Sequence, residues 1–139
     1  MKIAVLFHDG FIQSGATQSM FTLMEKWNEC GIEMIAYAPQ DETLFNELRN
    51  MGVKCIRMSM GNSRYNKRRS IIRQLGVRLI GLLSLYKVEY FVKKQLVRQL
   101  KAENVDIIYA NSSACVTGYY IKKYTDLPLV WHIREFGEL

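Results

Sequence analysis

Asn28-Glu-Cys-Gly-Ile-Glu-Met-Ile35 is answered by Asn50-Met-Gly-Val-Lys-Cys-Ile56, and Leu129-Val-Trp-His132 closes the same pattern. Each stretch reads as a helix end, a stop, and a buried strand, with Gly31 and Gly52 as the stops of the first two. That punctuation belongs to helices feeding a parallel sheet. Working outward, Ile3-Ala-Val-Leu-Phe7 lies inside an apolar run over 2–8, as expected for a strand covered on both faces. Apolar residues at 20, 23, 24 and 27 fall at i, i+3, i+4 and i+7, predicting a helix that Gly31 ends. Leu44, Leu48 and Met51 form a second helical stripe. Strands over 2–8, 32–38 and 53–58 therefore alternate with two helices.

Residues 61–69 lack periodicity and predict a loop, and 70–103 predict a helix bent near Gly76 or Gly81. A strand over 105–110, a helix over 113–124 and a strand over 127–133, led in by Pro128, complete the pattern. Crossovers between parallel strands are right-handed, which gives the spatial order 3-2-1-4-5. The expected fold is an α/β, Rossmann-like, doubly wound parallel sheet with a long basic helical insertion between strands 3 and 4.

At 139 residues and 49% hydrophobic, the chain has apolar material for one domain, spanning 1–139. Cys30, Cys55 and Cys115 are widely spaced and form no Cys-x-x-Cys pair, which argues against a metal site and against a disulfide framework. No apolar leader precedes the first strand, so the expected location is cytoplasmic. The chain stops six residues after Ile133 with no helix to cover strand 5, which predicts a fragment of something longer.

Open parallel sheets hold ligands beyond the carboxyl ends of their strands, where the winding reverses. The polar residues gather there: His8-Asp9-Gly10 after strand 1, Asn111-Ser112-Ser113 after strand 4, and His132-Ile-Arg134-Glu135 after strand 5. Ser14-Gly15-Ala16-Thr17 precedes the first helix; it reads either as an ordinary tight loop or as a phosphate cradle built from unpaired helix N–H groups. His132, after Trp131, reads either as a half-buried, hydrogen-bonded side chain or as a proton carrier. His8 reads as structural or ligand-contacting. Asp9-Gly-Phe-Ile-Gln-Ser-Gly15 is not the dinucleotide fingerprint, and no Gly-Lys-Ser/Thr is present, so nicotinamide chemistry and P-loop hydrolysis are disfavoured.

Taken in order, the Ser14-Gly15-Ala16-Thr17 loop, the Asn111-Ser112 strand end and Val130-Trp131-His132-Ile133-Arg134-Glu135 resemble the N-terminal domain of family-four, GT-B-fold glycosyltransferases. The likeness covers 2–58 and 105–135, and Ser14 departs from the Gly that commonly begins the family's Gly-Gly-Ala. The resemblance implies the acceptor-side half of a retaining transferase that takes sugar from a nucleotide-diphosphate donor, with the donor-binding C-terminal domain of the same polypeptide absent from these residues. The 139-residue fragment by itself is expected to be inactive. It implies His132 as the catalytic-site histidine and Ser14, Gly15, Ala16 and Thr17 at the donor phosphates. His8, Asp9, Asn111, Ser112, Arg134 and Glu135 would face a glycan or lipid-linked acceptor, as in cell-surface polysaccharide or glycolipid synthesis. No cofactor beyond the nucleotide sugar and no metal is implied.

Charge sets the middle of the chain apart. Residues 64–101 hold eleven Lys/Arg against one acid, Glu89, a net +10 that leaves −4 on the rest of a chain of overall charge +6. Leu79-Ile-Gly-Leu-Leu-Ser-Leu-Tyr86 is too short to span a bilayer. The stretch either packs on the sheet or lies on an anionic membrane, with Arg68, Arg69, Arg73, Arg78, Lys87, Lys93 and Lys94 as contacts. The second choice gives the competing function, a non-catalytic domain docked at the inner face of the cell membrane. Nucleic acid is disfavoured because no recognised motif frames Tyr65, Tyr86 and Tyr90. A standalone Rossmann-like enzyme with another cofactor is a third, weaker reading.

Overall fold

The computed structural model describes residues 1–39, 41–58 and 71–133, the stretch 71–80 by its backbone alone. Five parallel strands, β1 (Lys2–Leu6), β2 (Glu33–Ala38), β3 (Lys54–Arg57), β4 (Ile107–Ala110) and β5 (Leu129–Trp131), form one sheet in the order β3-β2-β1-β4-β5. The predicted order holds, and winding reverses between β1 and β4. In register, Val5 of β1 lies between Ala36 of β2 and Tyr109 of β4, and Tyr109 pairs onward with Val130. Ile3 through Phe7 are all buried, as a central strand covered on both faces requires.

Helices α1 (Gly15–Glu29) and α2 (Glu42–Asn50) cover one face, where Met20, Met24, Leu44 and Leu48 close over Val5, Ala36 and Tyr109. Each such side chain, fully buried, contributes about 1.5–3 kcal/mol. Both helices end identically. Gly31 (φ +69) donates to Asn28 O while Ile32 donates to Trp27 O, and Gly52 (φ +74) donates to Arg49 O while Val53 donates to Leu48 O. These are Schellman stops, and the positive φ is the reason glycine occupies both.

A third stop of the same kind follows Ala102, not the helix before β5. Asn104 (φ +52) donates to Lys101 O and Val105 to Leu100 O. Asn takes the left-handed position at lower cost than other side chains. The helix before β5, α5 (Val116–Tyr124), instead runs into extended Thr125, ahead of Pro128. It starts three residues later than predicted because the Ser112 hydroxyl accepts the Ala114 N–H, a local turn that competes with helix.

The insertion crosses the other face as α3 (Ile71–Phe91), a π-helical segment over Val92–Leu96 and α4 (Val97–Ala102). The hydrogen-bond irregularity falls at 92–96, away from the predicted positions at Gly76 and Gly81. Its cause is visible in spacing: Val88, Val92, Leu96 and Leu100 are all buried, every fourth residue. In a regular helix a four-residue period drifts by about 40° per step, so a wider turn is needed to keep all four on the sheet. Glu89 fixes the insertion to α5, accepting hydrogen bonds from Lys123 Nζ and the Tyr124 hydroxyl.

The part of the insertion that packs is therefore 88–100. The alternative in which the stretch 79–86 simply packs does not hold for its described outer residues, since Leu82, Leu83 and Tyr86 are 64%, 55% and 68% exposed.

Candidate active site

Three loops meet at the carboxyl rim. After β1, His8 Nε2 lies 2.7 Å from Asp9 Oδ2, and Asp9 Oδ1 accepts the Phe11 N–H. Gly10 follows because only hydrogen fits: a Cβ there would stand 2.5 Å from Asp41 Cβ. Asp41 is the N-cap of α2, accepting the N–H groups of Thr43 and Leu44 at 3.0 Å. The close approach of Gly10 thus ties the first rim loop to the start of α2.

Ser14 is the N-cap of α1, its Oγ accepting the Thr17 N–H at 3.2 Å and donating to Thr17 Oγ1 at 2.9 Å. Gln18 N–H goes to Ser14 O. Of the four N–H groups that open α1, those of Gly15 and Ala16 are taken neither by the cap nor by the helix. Gly15 is exposed, with open space where a Cβ would stand. Thr17 is buried. Ser14 spends its hydroxyl on the cap and leaves the Gly15 and Ala16 N–H groups to other acceptors.

Asn111 and Ser112, at the end of β4, are fully buried and act as struts. Asn111 Nδ2 donates to Ala16 O at 3.1 Å, and its backbone N–H donates to Leu6 O. The Asn111 Oδ1 atom is buried and finds no hydrogen-bond partner among the described residues. Ser112 O accepts the Trp131 indole N–H at 2.7 Å, binding the end of β5 to that of β4.

His132 follows β5, its N–H donating to Ala110 O. Its Nδ1 is hydrogen-bonded to the Tyr109 hydroxyl, and Tyr109 meets Trp27 edge-on at 5.1 Å. The imidazole is half-buried and lines a hollow of about 480 Å³ with Ser19, Thr22, Leu23 and Lys26 along the flank of α1. The ring is open to that hollow, whose lining does not include 14–17. Gly15-Ala16, after β1, and His132, after β5, thus both follow the carboxyl ends of strands, and the hollow beside His132 runs along α1 from Ser19 to Lys26.

Tyr109, Trp27, Ser19, Thr22 and Lys26 escaped the sequence reading. Tyr109 had a signal: it precedes Asn111 by two residues on β4 and so shares its face. Arg134 and Glu135, and the basic residues Arg68 and Arg69, lie outside the described residues. Arg73 and Arg78 fall in α3, with their side chains outside the description. Among the described residues no group of three or more His, Cys, Asp or Glu is placed to hold a metal, and no helix is long and apolar enough to cross a membrane.

No protein-family model matches the chain, and no curated protein matches it significantly. Solved structures do. Anabaena Alr3699/HepE, solved in complex with UDP, is 19% identical with a TM-score of 0.60 over 99% of this chain and 30% of its own. A glycosyltransferase from Rickettsia africae is 17% identical, TM-score 0.57, over 94% of this chain and 28% of its own. The C-terminal domain of a Pyrococcus furiosus hydrogenase is also similar, 13% identical, TM-score 0.53, over 95% of this chain and 89% of its own. At these identities the likeness establishes the fold. This chain spans about 30% of the length of the glycosyltransferases it resembles.

Proposed function

We propose that this chain is the acceptor-side, N-terminal half of a retaining GT-B glycosyltransferase of family four, which moves a sugar from a nucleotide-diphosphate donor to a glycan or lipid-linked acceptor. One observation carries the reading: on a fold similar to that of solved glycosyltransferases, the N–H groups of Gly15 and Ala16, after β1, and the His132 ring, after β5, follow the carboxyl ends of the strands. Transfer breaks the bond between the sugar's anomeric carbon and the diphosphate oxygen and forms one to an acceptor hydroxyl, whose proton is released. Negative charge grows on the departing diphosphate, and the positive end of α1 stabilises it. The catalytic donor pocket is completed by a second, C-terminal domain of the same polypeptide.

The test of the cradle is direct. Titration of UDP-sugar into the 15N-labelled polypeptide shifts the amide resonances of Gly15 and Ala16; perturbations confined elsewhere contradict the placement.

A second reading has its own observation. Over 81–91 the outward face of α3 is apolar and aromatic, with Leu82, Leu83, Tyr86 and Tyr90 exposed beside Lys87 and Lys94. Such a face suits an anionic membrane surface at the inner leaflet, where each well-placed Lys contributes about 1 kcal/mol. Lys93, included among the contacts on sequence, has its ammonium 5.6 Å from the Tyr124 ring centre. Docking that persists at high salt or on neutral vesicles contradicts this reading.

A further inference from the structure

We propose that Phe11 is a specificity-determining residue: its ring is a platform at the carboxyl rim on which a pyranose ring of the acceptor stacks, with the Gln13 amide close by in the same loop to meet the sugar's hydroxyls. Phe11 is 61% exposed. A lone apolar side chain on a surface is ordinary. This one stands on a backbone held at both of its polar groups, since the Phe11 N–H donates to Asp9 Oδ1 at 3.2 Å and the Phe11 carbonyl accepts the Ser14 N–H at 3.1 Å. The next residue turns inward: Ile12 packs against the core beneath α1 and α2, and its carbonyl accepts Gln18 Nε2 at 2.9 Å. Gly10, one residue before, abuts Asp41. The ring is thus presented to solvent from a fixed base, and stacking on it costs little further ordering of the loop.

Its place and its neighbour favour a sugar. The turn that Phe11 opens closes at Ser14, the N-cap of α1, so the phenyl group belongs to the turn just before the Gly15 and Ala16 N–H groups. A pyranose carries C–H bonds on its faces and hydroxyls around its edge. The face suits an aromatic ring, and the edge needs groups that both donate and accept hydrogen bonds. Gln13 is exposed, and a side-chain amide does both. Neither residue is charged, so the pair suits a neutral sugar. An alkyl chain laid across both would gain from Phe11 and strip water from the Gln13 amide without replacing it. In the sugar-transfer reading, on which this assignment rests, the second domain completes the donor pocket, and the acceptor's ring is left to this loop.

Ring-current shifts test the stacking without requiring transfer. Cellotetraose, maltotetraose and chitotetraose are titrated in turn into the polypeptide, and their C–H protons are followed by NMR. Stacking moves a subset of these protons upfield in the wild type; the shifts persist in Phe11→Trp and vanish in Phe11→Leu, which keeps apolar bulk without a ring. No upfield shift with any of these saccharides in the wild type, or shifts that survive in Phe11→Leu, overturns the proposal. So does an upfield shift of the uracil protons of UDP in place of the sugar's. In the proposed two-domain transferase, Phe11→Leu raises acceptor KM about two- to tenfold, the worth of one aromatic contact, with kcat and donor KM held. A change in donor KM alone contradicts the acceptor assignment. Saccharide stacking on Phe11 while the Gly15 and Ala16 amides ignore UDP-sugar supports this platform and counts against the donor cradle; the reverse pattern keeps the cradle and overturns the platform.

Discussion

Asn111 donates through Nδ2 to the carbonyl of Ala16 at 3.1 Å, so the end of β4 holds the first turn of α1 in place. The bond joins two rim segments separated by 95 residues. It fixes where the free N–H groups of Gly15 and Ala16 point, and it does so from a fully buried side chain. Asn111→Ala removes the strut and leaves a void; a loss of about 1–3 kcal/mol is expected, read as the shift in urea midpoint at constant slope. An unchanged midpoint would deny the strut its role.

Ser14 separates capping from ligand binding. Ser14→Ala removes the acceptor of the Thr17 N–H and costs about 1 kcal/mol, whereas Ser14→Gly costs a few tenths. Thermal melts of the two variants check the ranking; equal losses contradict the cap assignment. Gly15→Ala, in contrast, meets no atom within 4 Å and leaves the melting temperature unchanged. If diphosphate approaches the backbone there, the same variant weakens donor binding.

Gly10 is constrained by sterics. A methyl group at this position strikes Asp41, so Gly10→Ala displaces the α2 cap or the rim loop and costs about 1–3 kcal/mol. The double variant Gly10→Ala with Asp41→Gly relieves the collision, and recovery of stability in a denaturation cycle checks the mechanism.

Acid should loosen the insertion. Hydrogen bonds from Lys123, then Tyr124, hold the Glu89 carboxyl below its ordinary range. A carboxylate whose folded pKa is depressed contributes stability above its unfolded pKa and loses it as pH falls through the folded value. Stability therefore drops below about pH 4.5, and Glu89→Gln flattens that limb. Chemical denaturation at stepped pH measures both curves; parallel curves below the carboxylate range contradict the linkage.

Much of this architecture is legible in the chain. Gly31 and Gly52 announce their helix stops because a positive φ favours glycine and the apolar strand follows at once. Asn104 performs the same task unannounced, since Asn before Val105 looks like any polar surface residue. The π segment is written in the every-fourth-residue spacing of Val88, Val92, Leu96 and Leu100, a period that points away from Gly76 and Gly81. At the site, loop position brought His8, Gly15, Asn111 and His132 to one rim. The burial of Asn111 and Ser112 and the pairing of Tyr109 with His132 depend on which way side chains turn between neighbouring strands, and the linear pattern does not carry that information.

The role proposed for His132 is tested most directly by initial rates of sugar transfer in the proposed two-domain transferase. His132→Ala is expected to lower kcat about a hundredfold, with a loss of stability of only about 1–3 kcal/mol from the removed Tyr109 hydrogen bond. Wild-type turnover in that variant would contradict the account.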